Sequence, residues 1–410
     1  MASEFEDIIQ LHWLYNNVGC FAVKRKRGIL ALNKRCVILS PDLTDMLNRD
    51  KNPNGAVGAY TYNISIWRSV PTSTLRRVLA LMVLCAMVLC AFGRDGDQSY
   101  SFLNITSSSK IYGLGGMNIS LVDDDITTTD QNPALLGQEM SGQLALNYMR
   151  YIGGSNFAGL RYGQKVGAHG TWGAAIQYNG YGSMKETDES GNISGTFSAQ
   201  DVSFSGQYSY DITDRLRGGI NIKFLYSAYA GYTAMALATD LGINYYNDEK
   251  DLSLSFVAAN LGGQIKKFDN SYDRLPIDLR LGWSQTFGSL PIRFSVTAWN
   301  LTKWHMPYYE SGDGTDTGDF KRKDSFGSNL FRHLVFGADL VSSPNWYLGI
   351  GYNYKTRTDM STYSRSFVSG FSIAGGIRVK AFGVGIAFAQ PHTGATTLML
   401  NLSCNLRDLL

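Results

Sequence analysis

From Gly142 to the C-terminus the sequence alternates apolar with polar or small residues at period two. Val202, Phe204, Gly206, Tyr208 and Tyr210 interleave with Ser203, Ser205, Gln207 and Ser209. Phe382, Val384, Ile386 and Phe388 interleave with Gly383, Gly385 and Ala387, and Leu398, Leu400 and Leu402 follow the same rule. Successive side chains of an extended strand point to opposite faces, so this pattern predicts strands with one apolar face. The segments are 142–152, 156–165, 168–181, 196–211, 214–229, 232–247, 250–260, 276–287, 290–302, 331–342, 345–356, 368–380, 381–391 and 396–406, fourteen in all. Many reach ten residues, whereas soluble strands run about 5–6 and a tilted membrane-spanning strand needs about 9–11. The even number suits a closed barrel of the outer-membrane kind. The pattern thus predicts an all-β fold, a fourteen-stranded antiparallel transmembrane β-barrel.

The connections sharpen this picture. Links 2–3, 4–5, 6–7, 8–9 and 10–11 are short, as in Ser342-Ser343-Pro344, while the long ones (182–195, 261–275, 303–330 and 357–367) all fall on the other end. Short periplasmic turns opposite long extracellular loops are the asymmetry of outer-membrane barrels. The same parity sends Arg217, Lys223, Asp240, Asp278, Arg280, Arg293, Asp339, Arg378 and Lys380 into the lumen. A charge facing lipid at the midplane would cost about 2–4 kcal/mol. With no single-sign ring among them, mutual pairing is expected rather than a selectivity filter. Tyr148, Tyr178, Trp299 and Trp346, near strand ends, are expected as interfacial anchors.

Upstream the pattern changes. Arg76 and Arg77 precede an apolar run from Val78 to Phe92, which ends in Ala91-Phe92-Gly93. Positive charge, an apolar core and small residues at the end describe a secretory signal peptide over 75–93. Residues 1–74 are then expected to be a leader from a start codon assigned too early. The first 93 residues hold 11 Lys+Arg and 6 Asp+Glu of the chain's 37 and 34, leaving 26 and 28. The net +3 of the whole chain therefore becomes −2, and nothing suggests a nucleic-acid partner. Four of the five cysteines leave with the leader; Cys404 alone cannot form an internal disulfide. No later segment is apolar for 18 residues, so no membrane helix is expected.

Residues 94–141 do not alternate and find no strand slot, so they are expected to plug the barrel or lie beneath it; 142–410 form the barrel itself. Gly113, Gly115 and Gly116, the acidic Asp123 and Asp124, and the stretch Asn132-Pro133-Ala134 resemble the N-terminal plug of FadL-like barrels. The phrase from Ser101 to Ile119, with a remaining length near 317, is more specifically similar to the PorQ family of type IX secretion, a relation that covers essentially all of residues 94–410. One departure is the end of the chain, Arg407-Asp408-Leu409-Leu410, which lacks the terminal aromatic residue common in such barrels.

Enzymatic chemistry finds no footing. The histidines at 12, 169, 305, 333 and 392 make no zinc motif. Gly113-Leu114-Gly115-Gly116 lacks the setting of a dinucleotide loop. Asp123-Asp124-Asp125 lacks the spacing of a calcium loop and reads as a solvated or hydrogen-bonded acidic turn. No catalytic residue, metal or cofactor is expected. The family resemblance implies an outer-membrane component of the type IX secretion and attachment machinery, anchoring a PorZ-like surface partner alongside PorU- and PorV-like proteins. The loop 303–330, with Trp304, His305, Tyr308, Tyr309, Lys321, Arg322 and Lys323, is the candidate interface. The alternative is a FadL-type channel for hydrophobic small molecules, which an apolar pocket touching the plug would favour.

Overall fold

The computed structural model describes residues 100–187, 193–268, 272–287, 291–310, 321–343, 345–359, 368–392 and 395–408, plus two short segments nearer the N-terminus. Those two, Val23–Arg25 and Gly28–Leu30, pair antiparallel within a unit spanning Met1–Leu75. The expected signal peptide, and the rest of the expected leader, lie outside the described residues.

Fourteen antiparallel strands close into a barrel. They are β1 (Gln143–Arg150), β2 (Asn156–Val166), β3 (Gly170–Thr187), β4 (Ile193–Thr213), β5 (Leu216–Tyr229), β6 (Tyr232–Asn247) and β7 (Leu252–Lys266). The second half comprises β8 (Asp278–Thr286), β9 (Ile292–Ala298), β10 (Leu334–Ser343), β11 (Trp346–Asn353), β12 (Phe371–Val379), β13 (Phe382–His392) and β14 (Ala395–Asn405). Each strand pairs with its sequence neighbours, and β14 closes on β1 with Leu402 opposite Leu146. The fourteen-strand expectation is met strand for strand. Each expected segment overlaps its strand because the alternation is a local consequence of pleating.

The faces are inverted relative to a soluble protein. Leu146, Ile222, Leu281, Ile350, Ile386 and Leu402 point outward and are about half exposed, while Asp240, Asp278, Arg280 and Asp339 are buried inside. In water that arrangement would be unstable; in a bilayer the apolar belt is the solvated surface. The protein is an integral outer-membrane barrel. No helix among the described residues is long and apolar enough to cross a membrane.

Within the barrel, residues 100–142 fold into short turns and one helical turn, α1 (Ser109–Gly113), packed on the lumenal wall. Several expected strands are shorter than the alternation implied; β9, expected over 290–302, spans only Ile292–Ala298. The stretch before β10 winds into helix α2 (Phe326–His333), capped by the Ser325 side chain, which accepts from Ser328 N at 3.3 Å. Arg332 and His333 in its last turn complement the helix dipole. After β11 the chain turns into helix α3 (Tyr354–Asp359). In contrast, β3 and β4 run on past a register shift between Gly180 and Ser183, taking up most of the expected loop 182–195.

Candidate functional site

The lumenal segment packs against the wall at several positions where the wall has no side chain. A β-carbon on Gly219 or Gly242 would collide with the Asn132-Pro133-Ala134 stretch, and one on Gly351 with Leu114 and Gly115. Asn132 organises its own turn: its Nδ2 donates to Ile119 O at 2.7 Å and its Oδ1 accepts from Ala134 N at 2.9 Å. Pro133 then opens a 3-10 turn, where its missing N–H costs nothing. Gly115 has φ +98° and Gly116 φ +81°, a region that L residues with a side chain rarely enter. The Gly115 N–H donates to Ser372 Oγ at 3.0 Å, and its carbonyl accepts from Asn353 Nδ2 at 3.1 Å. Gly113 is pressed against Ala374.

The acidic residues Asp123 and Asp124 are ion-paired rather than free in solvent. Asp123 pairs with Lys110 of α1 and lies 4.0 Å from Arg293 of β9. Arg293 grips Asp339 of β10 with two hydrogen bonds, 3.1 and 2.7 Å, and donates to Val122 O at 3.0 Å. Asp124 pairs with Arg378 of β12. Burial raises the Asp123 carboxyl, but Lys110 and Arg293 outweigh it and hold the group well below the ordinary carboxylate range. Asp125, which accepts from Thr127 N at 2.9 Å, is pushed up by burial and by the neighbouring Asp123 charge. Among the described residues no cluster of His, Cys, Asp or Glu could hold a metal ion.

Elsewhere the lumenal charges also pair: Lys223 with Asp240 at 2.7 Å and Arg280 with Asp278 at 2.7 Å. Lys380 departs from the expected lumenal set, standing exposed in the turn between β12 and β13 with φ +53°. Lys110 and the Asp130 carboxylate were not singled out by sequence. The latter accepts from Ser107 N at 2.6 Å and Thr106 Oγ1 at 2.8 Å. Their hydrogen-bond partners lie 13 to 24 positions away within the same segment, and nothing in that spacing announces them.

Above the segment, at the end carrying the long loops, lies a cavity of about 490 Å³. Its walls include Phe102, Ile105 and Tyr112 from the segment and Tyr151, Phe157 and Tyr181 from the barrel, with Asn353, Lys355 and Asp359 among its polar residues. Tyr151 stacks on Phe157 at 5.3 Å, and Phe157 meets Tyr181 edge-on at 6.0 Å. The Tyr181 hydroxyl donates to Asp201 at 2.6 Å, fixing its ring. Trp299, expected as an interfacial anchor, lines this cavity instead, whereas Tyr148, Tyr178 and Trp346 are exposed on the outside. A smaller void of about 70 Å³ shares Phe102 and Ile105 with it, and a pocket of about 170 Å³ at the turn end is lined by Lys110, Asp123 and Arg378.

The described part of the candidate loop packs around His333. Trp304 stacks on its ring at 4.8 Å, and the ring nitrogens meet Trp299 O at 2.8 Å and Trp304 O at 3.1 Å. Tyr308–Glu310 and Lys321–Lys323 form a two-stranded ribbon. The Tyr308 hydroxyl is 3.1 Å from that of Tyr354, His305 is 3.5 Å from Asp324, and Arg322 reaches the same Asp324 at 3.1 Å. Lys323 is exposed. The side chains of Tyr309 and Lys321, and residues 311–320, lie outside the described residues.

No family model and no curated protein sequence matches the chain. Solved barrels resemble it in shape. The toluene transporter TbuX of Ralstonia pickettii is 13% identical, covering 74% of this chain and 98% of its own, with a TM-score of 0.44. A Pseudomonas aeruginosa FadL homologue is 12% identical over 73% and 98%, with a TM-score of 0.43. The toluene transporter TodX of Pseudomonas putida is 12% identical over 73% and 96%, with a TM-score of 0.42.

Proposed function

We propose that this barrel is an outer-membrane channel that admits a hydrophobic small molecule. The observation that carries this reading is the cavity above the lumenal segment. Its volume of about 490 Å³ falls within the roughly 300–1,000 Å³ typical of ligand pockets. Aromatic rings line much of it, polar residues such as Asn104, Asn353, Lys355 and Asp359 share the lining, and its floor is the segment itself through Phe102, Ile105 and Tyr112. A solute entering from the surface would displace water from these rings, gaining about 25 cal/mol per Å² of apolar surface buried. Passage onward requires the segment to shift, because its residues from Ile111 to Leu121 are packed almost without solvent. The paired charges at the turn end hold it in register with the wall. The toluene named for TbuX and TodX is a compound of the same apolar class, but belongs to those proteins.

The test is uptake of radiolabelled apolar solutes by the host with the gene deleted and then restored. Restoration by the intact chain and not by Phe157→Lys, with equal amounts of folded barrel, is the expected result. Uptake unaffected by deletion overturns the channel reading. The secretion role implied by the PorQ resemblance is the second reading, drawn from the exposed aromatic and basic side chains Trp304, His305 and Arg322. It expects the same deletion to leave cargo unprocessed or unattached at the cell surface, with loss of a PorZ-like partner.

A further inference from the structure

Helix α2 is built inside out. Asn329, Arg332 and His333 are buried, while Phe326 is 70% exposed and Phe331 51%, with Leu330 beside them half-buried. At 100° per residue, Leu330 and Phe331 lie on the side away from Asn329 and Arg332, while Phe326 is about two turns below His333 and Trp304 packs against both, at 5.6 and 4.8 Å. The buried side makes several polar contacts, although the buried Arg332 Nε has no hydrogen-bond partner among the described residues. Asn329 donates to Asp324 at 2.9 Å and accepts from Met306 N at 3.2 Å, Arg332 pairs with Asp359, and His333 bridges two carbonyls. A helix in water would show the opposite arrangement.

The apolar side continues a surface already assigned to lipid. Helix α2 runs directly into β10, where Val335, Gly337 and Asp339 are buried inward and Leu334 and Phe336 take the outward parity. On the adjacent β11, Leu348, Ile350 and Tyr352 face outward, and the chain then enters α3 at Tyr354. Phe331 packs edge-on against Tyr354 at 6.1 Å. The exposed rings therefore sit at the extracellular rim of the lipid-facing wall, where aromatic residues favour the bilayer interface. Arg322 is exposed on the nearby ribbon and pairs with Asp324 at 3.1 Å.

We infer that α2 is an outer-leaflet anchor. Its Phe326, Leu330 and Phe331 side inserts among the acyl chains of outer-membrane lipid, and the chain entering β10 is thereby held against the membrane. Amphipathic helices seated this way bury their apolar face about 5–10 Å into the headgroup and acyl boundary.

The test uses the full chain with its natural cysteines replaced by serine, carrying Phe331→Cys labelled with an environment-sensitive fluorophore. The protein is reconstituted in vesicles of lipopolysaccharide and phosphatidylethanolamine. Acyl chains nitroxide-labelled near the headgroup should quench the label at least about twofold, with aqueous iodide ineffective. Arg322→Cys should show the reverse. Phe326→Cys repeats the reading from the other end of the helix if Phe331→Cys fails to give a heat-modifiable barrel. Quenching by iodide at 326 or 331, or equal lipid quenching at 322, overturns the anchor. Protection from both quenchers also overturns it, and assigns this face to a second copy or another protein.

Discussion

Gly351 and Gly219 show how much of the lumen is decided by single atoms, since a β-carbon at either would occupy the place of the lumenal segment's backbone. Gly351→Val is expected to expel the Gly113–Gly116 turn. Limited proteolysis should then cut within residues 100–142, and conductance in planar bilayers should rise severalfold. Gly206→Ala, where a β-carbon meets nothing within 4 Å, should change neither. Arg293 is the second test at this scale, because it serves Asp339, Asp123 and the Val122 carbonyl together. Arg293→Met strands buried carboxylates and should cost about 3–5 kcal/mol in urea unfolding from vesicles. The double change Arg293→Met with Asp339→Leu should cost less, since an apolar pair leaves one fewer buried charge uncompensated. The parity of the strands made Arg293 and Asp339 readable as lumenal; their joint hold on the segment was not readable, because 171 positions separate Arg293 from Val122.

At the scale of elements, the acidic turn of the lumenal segment carries two carboxyls shifted in opposite directions. Asp125 lies above its ordinary value, so its ionised form opposes the folded arrangement, and protonation as pH falls from neutrality relieves that cost. Asp123 lies below its ordinary 3.8, so its stabilisation is present above that value and is lost as pH falls through the depressed one. Protection of residues 100–142 from protease should therefore hold or improve from neutrality down to about pH 4 and fail in stronger acid. Asp123→Asn should be less protected already at neutrality and lose the steep acid limb. Protection that falls steadily from neutrality would contradict the Lys110–Asp123–Arg293 linkage. Sequence misplaced elements only where the end of an alternating run is ambiguous. Leu330 and Phe331 continue the apolar positions toward β10, but the Ser325 cap and the burial of Asn329, Arg332 and His333 make that stretch a helix.

The usual distribution of polarity is inverted in the barrel wall, where it makes sense with lipid outside, and again in α2, whose exposed rings adjoin that wall. The strand number, the faces of each strand and the sorting of turns from long loops were determined by the sequence alone, because pleating turns a local period of two into a face. The extracellular-side cavity was decided only by the closed barrel. Tyr151, Phe157, Tyr181, Trp299 and Phe102 come from four distant stretches, and only closure and the insertion of the segment bring them together. The same holds for the glycines that receive Asn132-Pro133-Ala134, since an open position in a strand acquires meaning only from what packs against it. Alternation is written residue by residue along the chain, whereas a cavity is the space left between segments, and its walls exist only once the chain has closed.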